Sequence, residues 1–435
     1  MRIVCTQAHL LSYPLAEPLT LPYYGGERTI LKRDAMVIRV KADNGLIGYG
    51  PGEGSEQAKQ AIDAVIAPFL EGRTLTDPDA LRVHFLEGPG RDAELLRVYS
   101  AVEIALYDLE GKSKGLPVSD LLGGRVRDRI QLYGSAGMYM PIEKSAQEAR
   151  AIAQLGFRAF KLRSGLGPEE DLDAVRRLRE ELGPDFDLMV DAQAWWRMGD
   201  RNYVPSAIDQ LAERLDQYNV AWLEEPLPPQ DHAGYRRIKE LERAPIAAGA
   251  HEPDEGGYLD LIATSSVDYL QMDLVAQGGY ATARRLLAEV SHAGLRFAFA
   301  CEGTALDVIA AAQLGVCCPE PIADWLEYPC YSTPARAGMY PFPLAAEVLK
   351  EPLQLDHGDL VVPRRPGLGV DVDESVFERY PWIPGPWSFF RVDSPREVHA
   401  LSAGRSEPWM EPSGEKLRKG PASSGEAHSR SAQRS

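Results

Sequence analysis

From about residue 130 to 330 the chain alternates short apolar runs with amphipathic stretches. The apolar runs fall at 130–134, 159–162, 187–190, 221–223, 246–248, 269–272 and 297–300, and Trp325-Leu326-Glu327-Tyr328-Pro329 supplies an eighth. Between them lie segments of helical period, among them 145–155, 169–182 and 282–292. Apolar runs this short suit buried strands, and strand-helix alternation predicts a parallel sheet with crossover helices. Seven such units and a closing strand predict a barrel rather than an open sheet, with the chemistry at the C-terminal strand ends.

The flanks read differently. Residues 1–125 form an α+β unit: a strand at 35–40, the turn Asp43-Asn44-Gly45, and a partner strand at 46–50. From about 56 to 122 the pattern is helical, with Val102, Ala105, Leu106 and Leu109 on one face, and Gly123-Gly124 is expected to stop that helix. The barrel then occupies 126–330. Residues 331–395 are rich in Pro and Gly, with a turn at Asp356-His357-Gly358-Asp359, and are expected to wrap back onto the first unit. Apolar residues thin out in 396–435, which reads as a disordered tail.

Composition narrows the classes. At 435 residues the chain has room for one barrel and a smaller domain. A net charge of −17 argues against nucleic acid and anionic membranes as partners. No run of about 18 apolar residues occurs, so no membrane span is expected. The five cysteines form no C-x-x-C pair, and Met1-Arg2-Ile3-Val4-Cys5 lacks a signal-type core, so a reduced, cytoplasmic setting is expected.

Candidate chemistry lies at the strand ends. Asp191 closes Phe186-Asp187-Leu188-Met189-Val190, and Glu224 follows Val220-Ala221-Trp222-Leu223. On neighbouring strands they would converge above the barrel mouth, where two carboxylates suit a hard cation such as Mg²⁺. The bland alternative is a pair of solvated surface acids. The next run ends in Ala250, where a third carboxylate would complete the site. Lys161 and Arg163 share one face of a strand, so they are either a salt-bridged pair at the rim or a clamp for a carboxylate. Asp273 could orient a histidine across the mouth, but the facing strand ends in Ala300. Glu327 ends the eighth strand, either as a protonated donor to a substrate oxygen or as a salt-bridge partner. His251 reads as a locally bonded loop histidine, and Cys301 as a small apolar packer. There is no G-x-S-x-G, phosphate loop or dinucleotide fingerprint.

Together these residues resemble the enolase superfamily, in its mandelate racemase and sugar-acid dehydratase branch. The resemblance runs from about residue 2 to 390. It includes Asn44-Gly45-Leu46-Ile47-Gly48-Tyr49-Gly50, Ala101-Val102-Glu103-Ile104-Ala105-Leu106-Tyr107-Asp108, Leu121-Leu122-Gly123-Gly124 and Pro366-Gly367-Leu368-Gly369. It implies an α+β capping domain over a modified TIM barrel, (β/α)₇β, with one Mg²⁺ held by Asp191 and Glu224. It implies Lys161 and Arg163 as the cationic pair and Asp273 as the partner of a missing base. Glu327 becomes an oxyanion or substrate contact, Gln193 a substrate contact or acid, and the loop around Pro22-Tyr23-Tyr24 a shaper of specificity. It further implies a small carboxylate substrate and a homo-oligomer, dimer or octamer.

Two departures stand out. The branch carries Glu where this chain has Ala250 and His where it has Ala300. Either the chain has lost or rerouted the chemistry, or the alanines were introduced into an active parent. Glu252 and Glu302, two residues beyond each gap, are candidate substitutes. The resemblance implies Mg²⁺-dependent dehydration of a sugar acid through an enediolate, disabled if neither gap is filled. Lys161 remains the ordinary base candidate, since Arg163 stays protonated. Racemisation or epimerisation is the alternative, disfavoured by the missing base at Ala300. A non-catalytic scaffold and a metal-independent lyase using Lys161, Asp273 and Glu302 are the rivals.

Overall fold

A long antiparallel ribbon opens the chain. β1 (Ile3–Tyr23) pairs with β2 (Gly26–Ala42) from Ile3↔Ala42 to Tyr23↔Gly26, and the return strand β3 (Ile47–Gly52) pairs with β2. The sequence pattern located the second and third strands but not the first. β1 carries Pro14, Pro18 and Pro22, which read as breakers; a register shift falls between Pro14 and Leu19, and Pro22 pairs in register with Glu27. The computed structural model describes residues 1–23, 26–136, 138, 140–192, 205–330, 342–392 and 398–401.

Helix Ala93–Lys114 packs on this ribbon, burying Val102, Ala105, Leu106 and Leu109. The approach is close: a Cβ on Gly48 would lie 2.2 Å from the Ala105 carbonyl, so β3 needs glycine there. The helix stops at Lys114, where Gly115 takes φ 71, and not at Gly123-Gly124. A left-handed residue directly after the last turn caps the orphan carbonyls, and glycine at 115 adopts that conformation without strain.

Eight parallel strands then close a barrel: β4 (Arg129–Ala136), β5 (Ala159–Arg163), β6 (Asp187–Asp191), β7 (Trp222–Glu224), β8 (Ile246–Ala248), β9 (Tyr269–Asp273), β10 (Arg296–Ala300) and β11 (Trp325–Pro329), with β11 pairing back to β4. Each connection carries a helix, from Ile142–Gln154 to Ala305–Gly315, giving (β/α)₇β. Inside, Tyr133, Ala159, Met189, Trp222, Ala247, Tyr269, Ala298 and Trp325 form one cluster, one residue per strand. Bulky rings beside alanines fill the barrel as a floor.

After the barrel the chain serves both units. The hairpin β12 (Leu355–Asp356) and β13 (Asp359–Val361) adds to β4 rather than to the first unit. β14 (Ser388–Val392) returns to the capping sheet and pairs with β2, and β15 (Val398–Leu401) pairs with β14. Within the stretch read as a tail, residues 398–401 are thus a strand, and 402–435 lie outside the described residues. A buried ion pair ties cap to barrel. Arg82 donates to Glu103 at 2.7 Å and to Thr282 at 3.2 Å, while Glu103 accepts from the Ala281 amide at 3.0 Å. Among the described residues no helix is long and apolar enough to cross a membrane.

Candidate active site

The site grows directly from the floor. Strand side chains alternate, so the residue two beyond each floor residue points inward one layer higher. That rule places Lys161 above Ala159, Asp191 above Met189, Glu224 above Trp222, Gly249 above Ala247, Gln271 above Tyr269, Ala300 above Ala298 and Glu327 above Trp325. Lys161, Asp191, Glu224, Gln271 and Glu327 are all buried. Gly249 takes φ 130, and a Cβ there would lie 2.4 Å from the Gln271 carbonyl, so this position can hold only glycine.

The ammonium of Lys161 is the hub. Its Nζ lies 2.7 Å from Glu224 Oε1, 3.0 Å from Glu327 Oε1 and 3.7 Å from Asp191 Oδ2, with the Tyr133 ring centroid 5.4 Å away. Arg163, one step along β5, reaches Glu327 at 3.1 Å and Glu302 at 2.7 Å. Glu224 Oε2 accepts from the Trp222 indole at 2.9 Å, and the Cys301 amide donates to Glu327 Oε2 at 3.1 Å. The buried Gln271 amide has no hydrogen-bond partner among the described residues.

Electrostatics follow from this packing. Burial alone would lower the Lys161 pKa, but Glu224, Glu327 and Asp191 outweigh it and raise it well above the ordinary amine value. Desolvation would raise the Glu302 carboxyl, yet the charges of Arg163, Arg33 and Lys161 hold it down to about 2. Glu327 is likewise held low by Lys161 and Arg163 against burial. Asp273 goes the other way. Desolvation lifts it to about 7, with Asp307 and Glu302 adding to the rise, against hydrogen bonds from the Ala276 and Val275 amides.

Several expectations change. Lys161 is ringed by three carboxylates, which favours its ammonium form. Glu327 takes the salt-bridge alternative: Lys161 and Arg163 both lie within 3.1 Å of it, which favours its charged form. Glu252 does not fill the Ala250 gap. Its carboxylate lies 3.0 Å from His232 Nε2, packed over Gly257. His251 bonds Glu225 at 2.6 Å, a local contact as its loop position implied. Asp273 is the register partner of Ala300. Tyr24 and Gln193 lie outside the described residues; Tyr23 ends β1, and its side chain is not described. Sequence reasoning missed Arg33, a cap residue whose charge acts on Glu302, and the Trp222 indole contact. The spacing of two between Trp222 and Glu224 was the available signal for the latter.

Mg²⁺ needs about six oxygens, mostly carboxylates, waters and substrate. Here the third carboxylate position is Ala250, and both Glu224 oxygens already accept hydrogen bonds, one from an ammonium. Among the described residues no group of three or more His, Cys, Asp or Glu is arranged to hold a metal. The Lys161 ammonium lies where those carboxylate oxygens converge, so a cation already stands at that point. The donor set does not fit the ion.

Comparison with known proteins agrees with the fold. Residues 13–123 match the N-terminal domain family of mandelate racemase and muconate lactonizing enzyme, and residues 144–376 match the enolase C-terminal domain-like family. The chain belongs to the enolase superfamily, in the mandelate racemase and muconate lactonizing branch. D-galactarolactone cycloisomerase from Agrobacterium fabrum is 26% identical over 393 residues, 87% of this chain and 99% of that protein. L-rhamnonate dehydratase from Saccharopolyspora erythraea is 32% identical over 258 residues, 56% of this chain and 61% of that protein. The crystal structure of the 3,6-anhydro-D-galactonate cycloisomerase from Zobellia galactanivorans aligns with a TM-score of 0.74 and 28% identity, covering 87% of this chain and 99% of that one. Members of the superfamily bind Mg²⁺.

Proposed function

We propose that the protein acts on a sugar acid or a related small hydroxy acid, removing the proton beside the carboxylate and expelling the β-hydroxyl as water. The observation that carries this is the cationic pair: Lys161 and Arg163, both buried on the inner face of β5, converge on the same carboxylate, Glu327. Relatives named as a sugar-acid dehydratase and a sugar-lactone cycloisomerase support the reaction class.

The steps use this chain's own residues. Arg163 takes the substrate carboxylate, which displaces the half-exposed Glu302 from its guanidinium. Removing the α-proton puts a second negative charge on the substrate, and Lys161 with Arg163 stabilises it as it forms. Asp273, poised at about 7, is the carboxylate suited to accept that proton and return it to the leaving hydroxyl. The C–O bond breaks, water departs, and the enol rearranges to a 2-keto acid. Racemisation needs a base on each face of the carbon, and Ala300 removes one.

Ala250 and Ala300 favour a second reading, a barrel that binds an acid without turning it over. A sugar-acid library assayed with and without chelator, for the chain and for Ala250→Glu/Ala300→His, separates the two. Turnover by the chain itself supports the lyase. Turnover only by the restored variant, or binding without turnover, supports the second reading.

A further inference from the structure

The three buried carboxylates of the barrel mouth share one cation from within the chain. Asp191, Glu224 and Glu327 present their oxygens to one point, and the Lys161 ammonium occupies it at 3.7, 2.7 and 3.0 Å. Three further observations fix that arrangement. The face of the Tyr133 ring lies 5.4 Å from the same nitrogen, the side that favours a cation. The Trp222 indole holds the other Glu224 oxygen at 2.9 Å, leaving that carboxylate no unengaged oxygen for a second cation. The strand that would bring another carboxylate, β8, is followed by Gly249 and Ala250, and the nearest acid beyond them, Glu252, is bonded to His232.

We propose that Lys161 takes the place of the divalent ion in this barrel: its ammonium is the cation that Asp191, Glu224 and Glu327 hold, and the site binds no Mg²⁺. An ammonium is a compact charge on a tethered stem, so it offers one positive charge at a fixed point, where a dication would offer two and open coordination positions. The consequence for the reaction rests on the acid-lyase reading: charge on an enediolate is met by Lys161 and Arg163 alone. The metal claim stands independently of that reading.

The test is direct metal binding by the full chain, purified without chelator. Metal content is measured by mass spectrometry, and melting temperature and titration heat are followed with millimolar MgCl₂ or MnCl₂. The expected result is far less than one metal per chain, with no melting shift and no saturable heat. Stoichiometric Mg²⁺ or Mn²⁺, or a saturable heat that Asp191→Asn abolishes, overturns the proposal. A second arm creates the missing site. Lys161→Met/Ala250→Glu is expected to gain a melting shift with Mg²⁺ that Ala250→Glu alone lacks. If Ala250→Glu alone binds Mg²⁺ as tightly as the double variant, Lys161 is not the competitor and the proposal fails. Should the double variant not fold, the binding measurements on the chain and on Ala250→Glu still decide. Sugar-acid turnover in chelator separates the two ideas. Activity abolished by chelator and restored by Mg²⁺ overturns the metal claim. Absence of both turnover and metal binding sinks the lyase reading and leaves the metal claim standing.

Discussion

Asp273 and Ala300 are register partners on adjacent barrel strands. Paired strands lie about 4.8 Å apart, so a side chain longer than alanine at 300 meets the Asp273 carboxylate. In Ala300→His the imidazole is expected to titrate above its usual 6.5, because the nearby carboxylate favours the charged ring. An NMR titration of the ring protons reads this, and Asp273→Asn in the same background should bring the value back down. A ring that titrates alike in both variants would show that the two side chains do not meet.

Removing the hub cation should be severe. Lys161→Met leaves Asp191, Glu224 and Glu327 buried beside one another without their shared partner. Breaking a buried pair from one side costs about 3–5 kcal/mol. Urea unfolding at pH 8 measures it. The deficit should shrink as pH falls, since protonating a carboxylate relieves the same repulsion. A variant as stable as the parent at pH 8 would contradict the geometry.

The raised carboxyls set a pH trend. Desolvation lifts Asp273 to about 7 and Asp307 to about 6 in the fold, against an ordinary value of 3.8 for each. A raised acid holds its proton more tightly when folded, so its contribution is complete below the unfolded value. It is lost as pH climbs through the folded value. Melting temperature should therefore fall between about pH 4 and pH 7, and Asp273→Asn should flatten the slope. A melting temperature that rises over that window in both proteins would refute the assignment.

The Arg82–Glu103 pair joins cap to barrel through Thr282 and Ala281. Arg82→Ala should cost about 3–5 kcal/mol, because Glu103 stays buried without its cation. The double variant Arg82→Met/Glu103→Leu should recover much of that loss, since an apolar pair leaves no uncompensated charge. Denaturant unfolding of the singles and the double gives the coupling.

Much of the barrel was readable because its strands are short apolar runs with a polar residue at the inner end. The step of two from floor to site residue is visible in Trp222-Leu223-Glu224 and in Trp325-Leu326-Glu327. What could not be read was partnership. Glu252 sits two residues past a gap and looked like a substitute ligand, but a loop conformation assigns it to His232. The three carboxylates around Lys161 come from three other strands, a tertiary arrangement no local pattern encodes. β1 was hidden because proline reads locally as a breaker, while a two-stranded ribbon tolerates it at a register shift.

β14 completes the capping sheet by lying against β2, with Ser388 opposite Ile30. During synthesis every barrel strand emerges before that partner does. The edge of β2 therefore stays unpaired through most of translation, while the barrel's nearer contacts can form first. The β2–β14 pairing joins residues far apart in sequence, and the β2 edge should be the last part of the cap to become protease-resistant as the nascent chain lengthens.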